Sequence, residues 1–289
     1  MKALIEACRP RQWVKNLFVA APLVFAKRLT DQDTALRALA AVGLFICLSS
    51  AVYLWNDIID VEKDRAHPRK CKRPIAAGRL SIRDARIAAA TLGAGALVLG
   101  HRLDWRFAAC AFAYGLNNVA YSLWLKRVPY LDVFSISAGF LLRVAAGAAA
   151  IDVEASPYLF ICTALLACYL GFGKRAHELA SAGERAHEQR SVLRSYRPGA
   201  LRVALFVTGV STLIAYILYT RAEHTIRFFG TTRMLWTAPF CALGLYRFFQ
   251  LVNSPRSDSP TEEMLKDPAF ILNLVSWAIA STLIIYYRY

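Results

Sequence analysis

Long stretches of apolar residues with almost no charge recur along the whole chain. Each is close to the roughly 20 residues that an α-helix needs to cross a bilayer. Nine segments follow this pattern: 16–26, 35–55, 82–100, 105–121, 131–151, 157–173, 199–220, 228–250 and 268–287. The shortest, 16–26, contains Pro22 and would also fit a position at the membrane interface. The pattern predicts an all-α fold, a polytopic membrane helix bundle of about nine transmembrane helices, with one domain over residues 1–289.

Composition supports a membrane protein and excludes several other classes. Hydrophobic residues make up 57% of the 289 residues and charged residues only 19%, against about a quarter in ordinary soluble domains. The seven cysteines form no CxxC pair and no cluster with histidine at zinc-binding spacing. A disordered chain, a disulfide-rich secreted module and a DNA-binding domain are therefore excluded as the main interpretation.

The net charge of +15 is divided unevenly between alternate connections. One set of connections, which includes the N-terminus, carries 21 Lys and Arg residues, and the opposite set carries eight. Because short cytoplasmic loops carry the excess of Lys and Arg, we expect the N-terminus and the loops 56–81 and 174–198 to face the cytoplasm from the plasma membrane. The orientation of the protein in the bilayer therefore accounts for the positive charge, which argues against a nucleic-acid partner.

Four residues whose side-chain oxygen atoms can bind a metal follow the second apolar segment directly. Asn56, Asp57, Asp60 and Asp64 fall within about 100° of one another around a helix axis. Carboxylates clustered in this way repel one another unless a cation lies between them, and Mg²⁺ commonly binds one or two carboxylates together with substrate phosphates. The alternative is a solvated helix end whose acids neutralise neighbouring bases.

A basic turn comes after the acids. Lys70 and Arg73 lie between Pro68 and Pro74, in a segment where the prolines indicate an ordered turn. Lys and Arg side chains at such a turn can bind a metal-diphosphate. The positive-inside rule alone would also account for basic residues in this loop.

Residues 56–64 read NDIIDVEKD, a complete match to the NDxxDxxxD motif. At this motif the chain resembles the UbiA superfamily of intramembrane prenyltransferases. Longer and less diagnostic stretches resemble the decaprenyl-phosphate phosphoribosyltransferase branch of that superfamily. These stretches are RPRQWVKN at 9–16, residues 121–150, GFGKRAHEL at 171–179 and SPTEEMLKDPAF at 259–270.

The resemblance implies a glycosyltransferase that moves 5-phosphoribosyl from phosphoribosyl diphosphate to a polyprenyl (decaprenyl) phosphate and releases diphosphate. Asp57, Asp60 and Asp64 would be the catalytic acids and would hold the Mg²⁺ cofactor, with Asn56 as a further metal ligand. The sequence leaves the isoprenoid length and the oligomeric state open, a homo-oligomer included.

One departure from the superfamily concerns its second acidic motif, DxxxD, which in aromatic prenyltransferases binds a second Mg²⁺. The matching position reads DVFSI from Asp132, so only the first acid is present. Two other interpretations stay open. One is an aromatic-acceptor prenyltransferase of the same superfamily, and the other is a transport or lipid-binding membrane protein without chemistry. The crowding of charges on one side of the membrane favours an enzyme at the interface over a transport pathway.

Further candidates for substrate binding are spread over the chain. The resemblance implies that Lys15 and Asn16 contact the acceptor phosphate. Tyr121 and Lys126 follow the family's Tyr-x-x-x-x-Lys arrangement, with Lys126 and Arg127 at the cytoplasmic mouth. Interface anchoring would equally explain a Tyr and a Lys there. The remaining candidates are Asp132, Arg143, Lys174 and Arg175.

Arg143 and the Lys174–Arg175 pair each have a structural alternative. Arg143 lies about twelve residues into the fifth apolar segment, where a charge is costly and usually faces a cavity or a partner. A structural pair with Asp132 or another acid is the alternative. Lys174 and Arg175 could bind phosphate, or could form an ordinary ion pair with Glu178 one helical turn away.

Overall fold

The computed structural model describes residues 1–68, 70–182, 191–254 and 259–287. All regular elements in these residues are helical, which confirms the predicted all-α fold class. Parts of the predicted loops 174–198 and 251–267 lie outside the described residues.

Thirteen α-helices are described, together with short 3₁₀ helices between them. The first half of the chain contains α1 (Lys2–Ala7), a 3₁₀ helix (Pro10–Ala20), α2 (Ala21–Phe25), α3 (Gln32–Ile59), α4 (Val61–Arg65), a 3₁₀ turn (Lys70–Lys72), α5 (Ile82–Leu103), α6 (Trp105–Leu123) and a 3₁₀ turn (Leu125–Arg127). The second half contains α7 (Leu131–Ala150), α8 (Pro157–Ala182), a 3₁₀ turn (Ser191–Ser195), α9 (Pro198–Arg221), α10 (Glu223–Phe229), a 3₁₀ turn (Arg233–Thr237), α11 (Ala238–Val252), α12 (Pro260–Glu263) and α13 (Pro268–Tyr286).

Seven of the nine predicted segments correspond to one continuous helix each. Five of these helices, α3, α7, α8, α9 and α13, are long and apolar enough to cross a membrane. The other two, α5 and α6, have 22 and 19 residues, and charged residues such as Arg83, Asp84 and Arg86 lie in the first turns of α5. The chain is an integral membrane protein, and the count of nine spans stays a prediction.

The predicted segments 16–26 and 228–250 are interrupted. The first falls on the end of the 3₁₀ helix and on α2, with Pro22 in the first turn of α2. The second contains the end of α10, a 3₁₀ turn and α11. Gly230 ends α10 with a φ of 72°, a left-handed conformation that glycine adopts readily. Pro239 then lies in the first turn of α11, where its missing N–H costs no helical hydrogen bond.

The chain forms two compact units. The first comprises Met1–Ser122 and Gly139–Ala155, and the second comprises Leu123–Ala138 and Ser156–Tyr289. One of the boundaries, between Ala138 and Gly139, therefore falls within α7. The expectation of one domain over the whole chain stays a prediction.

In the first unit, α3 packs mainly against α5. The buried face of α5 consists of small residues, Ala85, Ala89 and Ala96, whose spacing places them on one side of the helix. Small side chains let two membrane helices approach closely. Ser81 caps the start of α5 by accepting a hydrogen bond from the amide of Asp84 (3.0 Å).

In the second unit, α8 packs mainly against α9. Tyr169, Leu205 and Phe248 form part of a buried apolar cluster there. The hydroxyl of Tyr169 donates to the carbonyl of Leu245 at 2.7 Å, which satisfies a polar group that packing removes from solvent.

Large apolar side chains also cover the outer faces of the helices. Phe206 on α9 is 70% exposed and Leu272 on α13 is 68% exposed. Apolar surface on this scale would promote aggregation in water, whereas lipid tails accommodate it. The outer faces thus have the character of a lipid-facing surface.

Candidate active site

The acidic motif lies where α3 gives way to α4, and Asp60 joins the two helices. The amide of Asp60 donates to the carbonyl of Asn56 at 3.0 Å, and the amide of Asp64 donates to the carbonyl of Asp60 at 2.8 Å. Helical hydrogen bonding therefore continues across the junction. The predicted single helix is divided in two, but Asp57 and Asp64 still point to one place.

Arginine side chains bind the carboxylates of Asp57 and Asp64. Asp57 and Asp64 are 3% and 2% exposed. One nitrogen of Arg73, Nη1, donates to Oδ1 of Asp57 at 3.1 Å and to Oδ2 of Asp64 at 2.6 Å. Nη2 of Arg9 donates to the same Oδ1 of Asp57. Two buried negative charges are thus matched by two guanidinium groups, as buried charges require.

Arg9 has an unusual backbone as well as an unusual partner. Its φ of 54° and ψ of 65° are left-handed, which is uncommon for a residue with a side chain. Its guanidinium lies over the ring of Tyr53, 5.1 Å from the centroid. Strained residues of this kind often lie at functional sites.

The other two motif residues have different surroundings. Asn56 is half-buried, and its Oδ1 accepts a hydrogen bond from Oγ of Ser122 at 2.5 Å, which ties α3 to the end of α6. Asp60 is half-buried. The structure therefore brings Asp57 and Asp64 together around Arg73 and gives Asn56 a structural contact.

The 3₁₀ helix that follows Arg9 is fixed along α3 by polar contacts. Nε1 of Trp13 donates to the carbonyl of Cys8 at 3.1 Å and lies 3.2 Å from Oγ of Ser50. Nδ2 of Asn16 donates to Oγ of Ser49 at 3.1 Å. These contacts position Arg9 beside the acids.

Arg143 completes the attachment of this segment. Its Nε donates to Oδ1 of Asn16, its Nη1 to the carbonyl of Gly139 and its Nη2 to the hydroxyl of Tyr114, each at 3.0 Å. The guanidinium also lies 4.5 Å from the Tyr114 ring centroid and 5.4 Å from that of Phe140. Asn16 is fully buried, with both ends of its amide engaged. In this arrangement Asn16 and Arg143 fix the N-terminal segment to α3 and α7, and their roles in substrate binding stay predictions.

The second unit contains a separate buried ion-pair network. Nε of Arg175 lies 2.7 Å from Oδ2 of Asp132, without hydrogen-bond alignment, and Nη1 of Arg175 bonds Glu178. The hydroxyl of Tyr196 donates to Oδ1 of Asp132 at 2.5 Å and accepts from the amide of Tyr130. Burial raises the pKa of Tyr196 above its ordinary value, and the hydrogen bond to Asp132 raises this pKa further.

Arg175 is only 1% exposed and is already paired with two carboxylates. Its geometry corresponds to a structural ion pair, the alternative that the sequence left open for this region. Glu178 is the partner that this alternative named. The contact of Tyr196 with Asp132 was not predicted, since nothing in the local sequence indicates it.

The model of the UbiA prenyltransferase family matches residues 16–275. The chain belongs to this family. The resemblance drawn from the NDxxDxxxD motif is thereby confirmed, and so is the prediction that the protein is a transferase.

Two curated relatives of this UbiA family member are decaprenyl-phosphate phosphoribosyltransferases. The protein from Mycolicibacterium smegmatis is 31% identical, with 96% of this chain and 90% of the relative covered. The protein from Corynebacterium glutamicum is also 31% identical, with 98% of this chain and 86% of the relative covered. A UbiA homologue from Archaeoglobus fulgidus, solved with DMAPP and Mg²⁺ bound, has a TM-score of 0.71 at 16% identity, with 99% of both chains covered. At that identity the likeness shows the fold.

The remaining predicted substrate ligands of the UbiA family member are Lys15, Lys70, Tyr121, Lys126, Arg127 and Lys174. All are half-buried except Arg127, which is exposed. Lys15, Lys70 and Tyr121 belong to the first unit, and the other three belong to the second. Their roles in binding stay predictions.

The oxygen atoms of Asp57 and Asp64 form a donor set that suits Mg²⁺. In the described residues no group of three or more Asp, Glu, His or Cys side chains could hold a metal alone. Mg²⁺ typically takes one or two carboxylates and completes its shell with water and substrate phosphate. The residues therefore fit a cation that arrives with, or is completed by, a phosphate-bearing substrate.

Proposed function

We propose that this UbiA family member transfers 5-phosphoribosyl from phosphoribosyl diphosphate to a polyprenyl phosphate, with release of diphosphate and with Mg²⁺ as cofactor. The observation that carries the proposal is the buried site of Asp57 and Asp64 with Arg73 and Arg9. It lies at the end of an apolar helix in a chain that matches phosphoribosyltransferases over nearly its whole length.

The site contains the charges that a diphosphate leaving group needs. Asp57 and Asp64 would hold Mg²⁺, with Asn56 and Asp60 as proposed further ligands, and the bound ion would offset charge on the leaving diphosphate. Arg73 and Arg9 are each about 30% exposed, so their guanidinium groups can donate to phosphate oxygens. Lys70, in the 3₁₀ turn before Arg73, would add a further cation.

The acceptor needs little activation. A polyprenyl phosphate is already anionic at neutral pH, so its oxygen can attack the anomeric carbon in line, with inversion, as the bond to diphosphate breaks. No general base is required. The apolar outer faces of the helices would accommodate the isoprenoid tail.

A direct assay tests the proposal. Purified protein in detergent with Mg²⁺ receives radiolabelled phosphoribosyl diphosphate and decaprenyl phosphate, and the labelled lipid and released diphosphate are measured. We expect equal amounts of both products, and no product in EDTA until Mg²⁺ is restored. Prenylation of an aromatic acid from a prenyl diphosphate, without diphosphate release from phosphoribosyl diphosphate, would instead establish the aromatic-acceptor alternative.

Variants of the acids connect the activity to the site. Asp57→Asn and Asp64→Asn should each lower kcat/KM by at least about 100-fold, because each removes a charged ligand from a shared cation site. Asp84→Asn, an exposed acid in the first turn of α5, is the matched control and should retain activity. Full activity in both site variants would remove the acids from the mechanism.

A further inference from the structure

The two buried acids of the motif share a single donor atom. Nη1 of Arg73 lies 2.6 Å from Oδ2 of Asp64 and 3.1 Å from Oδ1 of Asp57. Arg9 donates to that same Oδ1. The carboxylate oxygens that face each other across this point are therefore already occupied by positive charge.

A divalent cation that binds Oδ1 of Asp57 and Oδ2 of Asp64 competes with the arginines that already donate to these two oxygens. Mg²⁺ binds carboxylate oxygens at about 2.0–2.1 Å, closer than the 2.6 Å between Asp64 and Arg73. A dication at these oxygens would lie next to two guanidinium groups of the same sign, with little water to screen the repulsion. Metal and arginines thus compete for the same two carboxylates.

We infer that Arg73 and Arg9 take the place of the metal between Asp57 and Asp64 until the donor binds, and that they move to the donor diphosphate when the metal enters. The inference rests on the metal site of the proposed function, and it adds the order in which the arginines leave and the metal and the donor bind. Metal alone binds weakly because it must displace two arginines, whereas a metal-diphosphate brings acceptors for them. Arg9, which the sequence did not single out, becomes a positioning residue of the site.

The surroundings of both arginines allow this exchange. Their side chains are 30% and 29% exposed, while the acids are buried. Arg73 follows a 3₁₀ turn and precedes Pro74, outside the long helices. Arg9 begins a segment that Trp13 and Asn16 fix to α3, so its side chain can move while its backbone stays beside the acids.

The test measures metal binding without substrate. Mn²⁺ is titrated into purified full-length protein in detergent, and its affinity is followed by electron paramagnetic resonance. We expect Arg73→Gln to tighten Mn²⁺ binding by at least about 10-fold over the unmodified protein, which corresponds to about 1.4 kcal/mol. Arg9→Gln should also tighten Mn²⁺ binding, but by a smaller factor, since Arg73 still bridges both acids.

Arg65→Gln is the matched control. It removes one positive charge from α4, but its partner is the exposed Glu62 and not a motif acid. Its Mn²⁺ affinity should equal that of the unmodified protein. The thermal midpoint gives a second measurement: Arg73→Gln should be destabilised in EDTA and should gain more from Mn²⁺ than the control.

The outcomes separate this inference from the proposed function. Equal Mn²⁺ affinity in Arg73→Gln, Arg9→Gln and Arg65→Gln, with binding lost in Asp57→Asn, would overturn the role of the arginines and leave the metal site intact. If Arg73→Gln does not fold, unchanged affinity in Arg9→Gln overturns the inference by itself. Mn²⁺ binding that is unaffected by Asp57→Asn would remove the metal site from the proposed function as well.

Discussion

Arg143 is a cation inside an apolar helix, and the hydrogen bonds described for it all go to neutral groups. The faces of Tyr114 and Phe140 provide further stabilisation through their ring electrons. The bond to Asn16 joins positions 127 residues apart in the chain. Arg143 therefore stabilises the N-terminal 3₁₀ helix, whose preceding residue, Arg9, reaches the acids.

Removal of this guanidinium should destabilise the protein. Arg143→Gln loses hydrogen bonds from a charged donor and leaves the Oδ1 of Asn16 buried without that partner, at a cost of about 1.5–3 kcal/mol. We expect a lower thermal midpoint in detergent. Arg202→Gln, at an exposed position of α9, is the control and should leave the midpoint unchanged. Equal midpoints for the two variants would contradict the structural role of Arg143.

At the level of elements, the 3₁₀ helix and α7 approach so closely that only glycine fits at one position. A Cβ added at Gly147 would lie 1.8 Å from the carbonyl oxygen of Val19. The neighbouring atom belongs to the backbone, so a rotamer change cannot relieve the clash. Gly147 thus determines how near the N-terminal segment lies to α7.

A single methyl group should therefore disturb this contact. Gly147→Ala forces the segment away from α7, and such overpacking typically costs about 1–3 kcal/mol. We expect a lower thermal midpoint and weaker protection of residues 10–20 from hydrogen exchange. The control is Gly43→Ala in α3, where an added Cβ meets no atom within 4 Å. That change should be neutral or stabilising, because alanine favours a helix over glycine.

For the whole molecule, the expected orientation rests on the imbalance of 21 against eight Lys and Arg residues between alternate connections. The acids and Arg73 lie in or next to the loop 56–81, which the imbalance assigns to the cytoplasm. Cys71 in the same loop is half-buried and is one of the seven free cysteines. It can therefore report the side of the membrane on which the site lies.

A membrane-impermeant thiol reagent should label Cys71 in inverted vesicles and not in intact spheroplasts. The Cys71→Ser variant is the control, and the label lost in this variant belongs to Cys71. Labelling from the outside of spheroplasts would reverse the orientation. The proposed site would then be separated from any substrate supplied in the cytoplasm.

The sequence was sufficient for features that depend on local pattern. Of the nine apolar segments of bilayer length, seven are continuous helices, because backbone groups in lipid must bond within their own segment. The helical spacing of NDxxDxxxD also predicted that Asp57 and Asp64 lie on one side, since helical hydrogen bonding persists through Asp60. Gly230 and Pro22 are residues that indicate helix boundaries. The prediction of continuous segments there gave more weight to hydrophobicity than to these two residues.

Only the tertiary structure decided which charges are partners. The sequence treated Arg73 as a phosphate ligand and passed over Arg9, whereas packing places both against Asp57. The packing of the helices also brings Arg175 to Asp132 and Arg143 to Asn16. Partners that lie 48 or 127 residues apart are selected by how helices pack and by the cost of leaving a buried charge unmatched, and neither is encoded in local spacing.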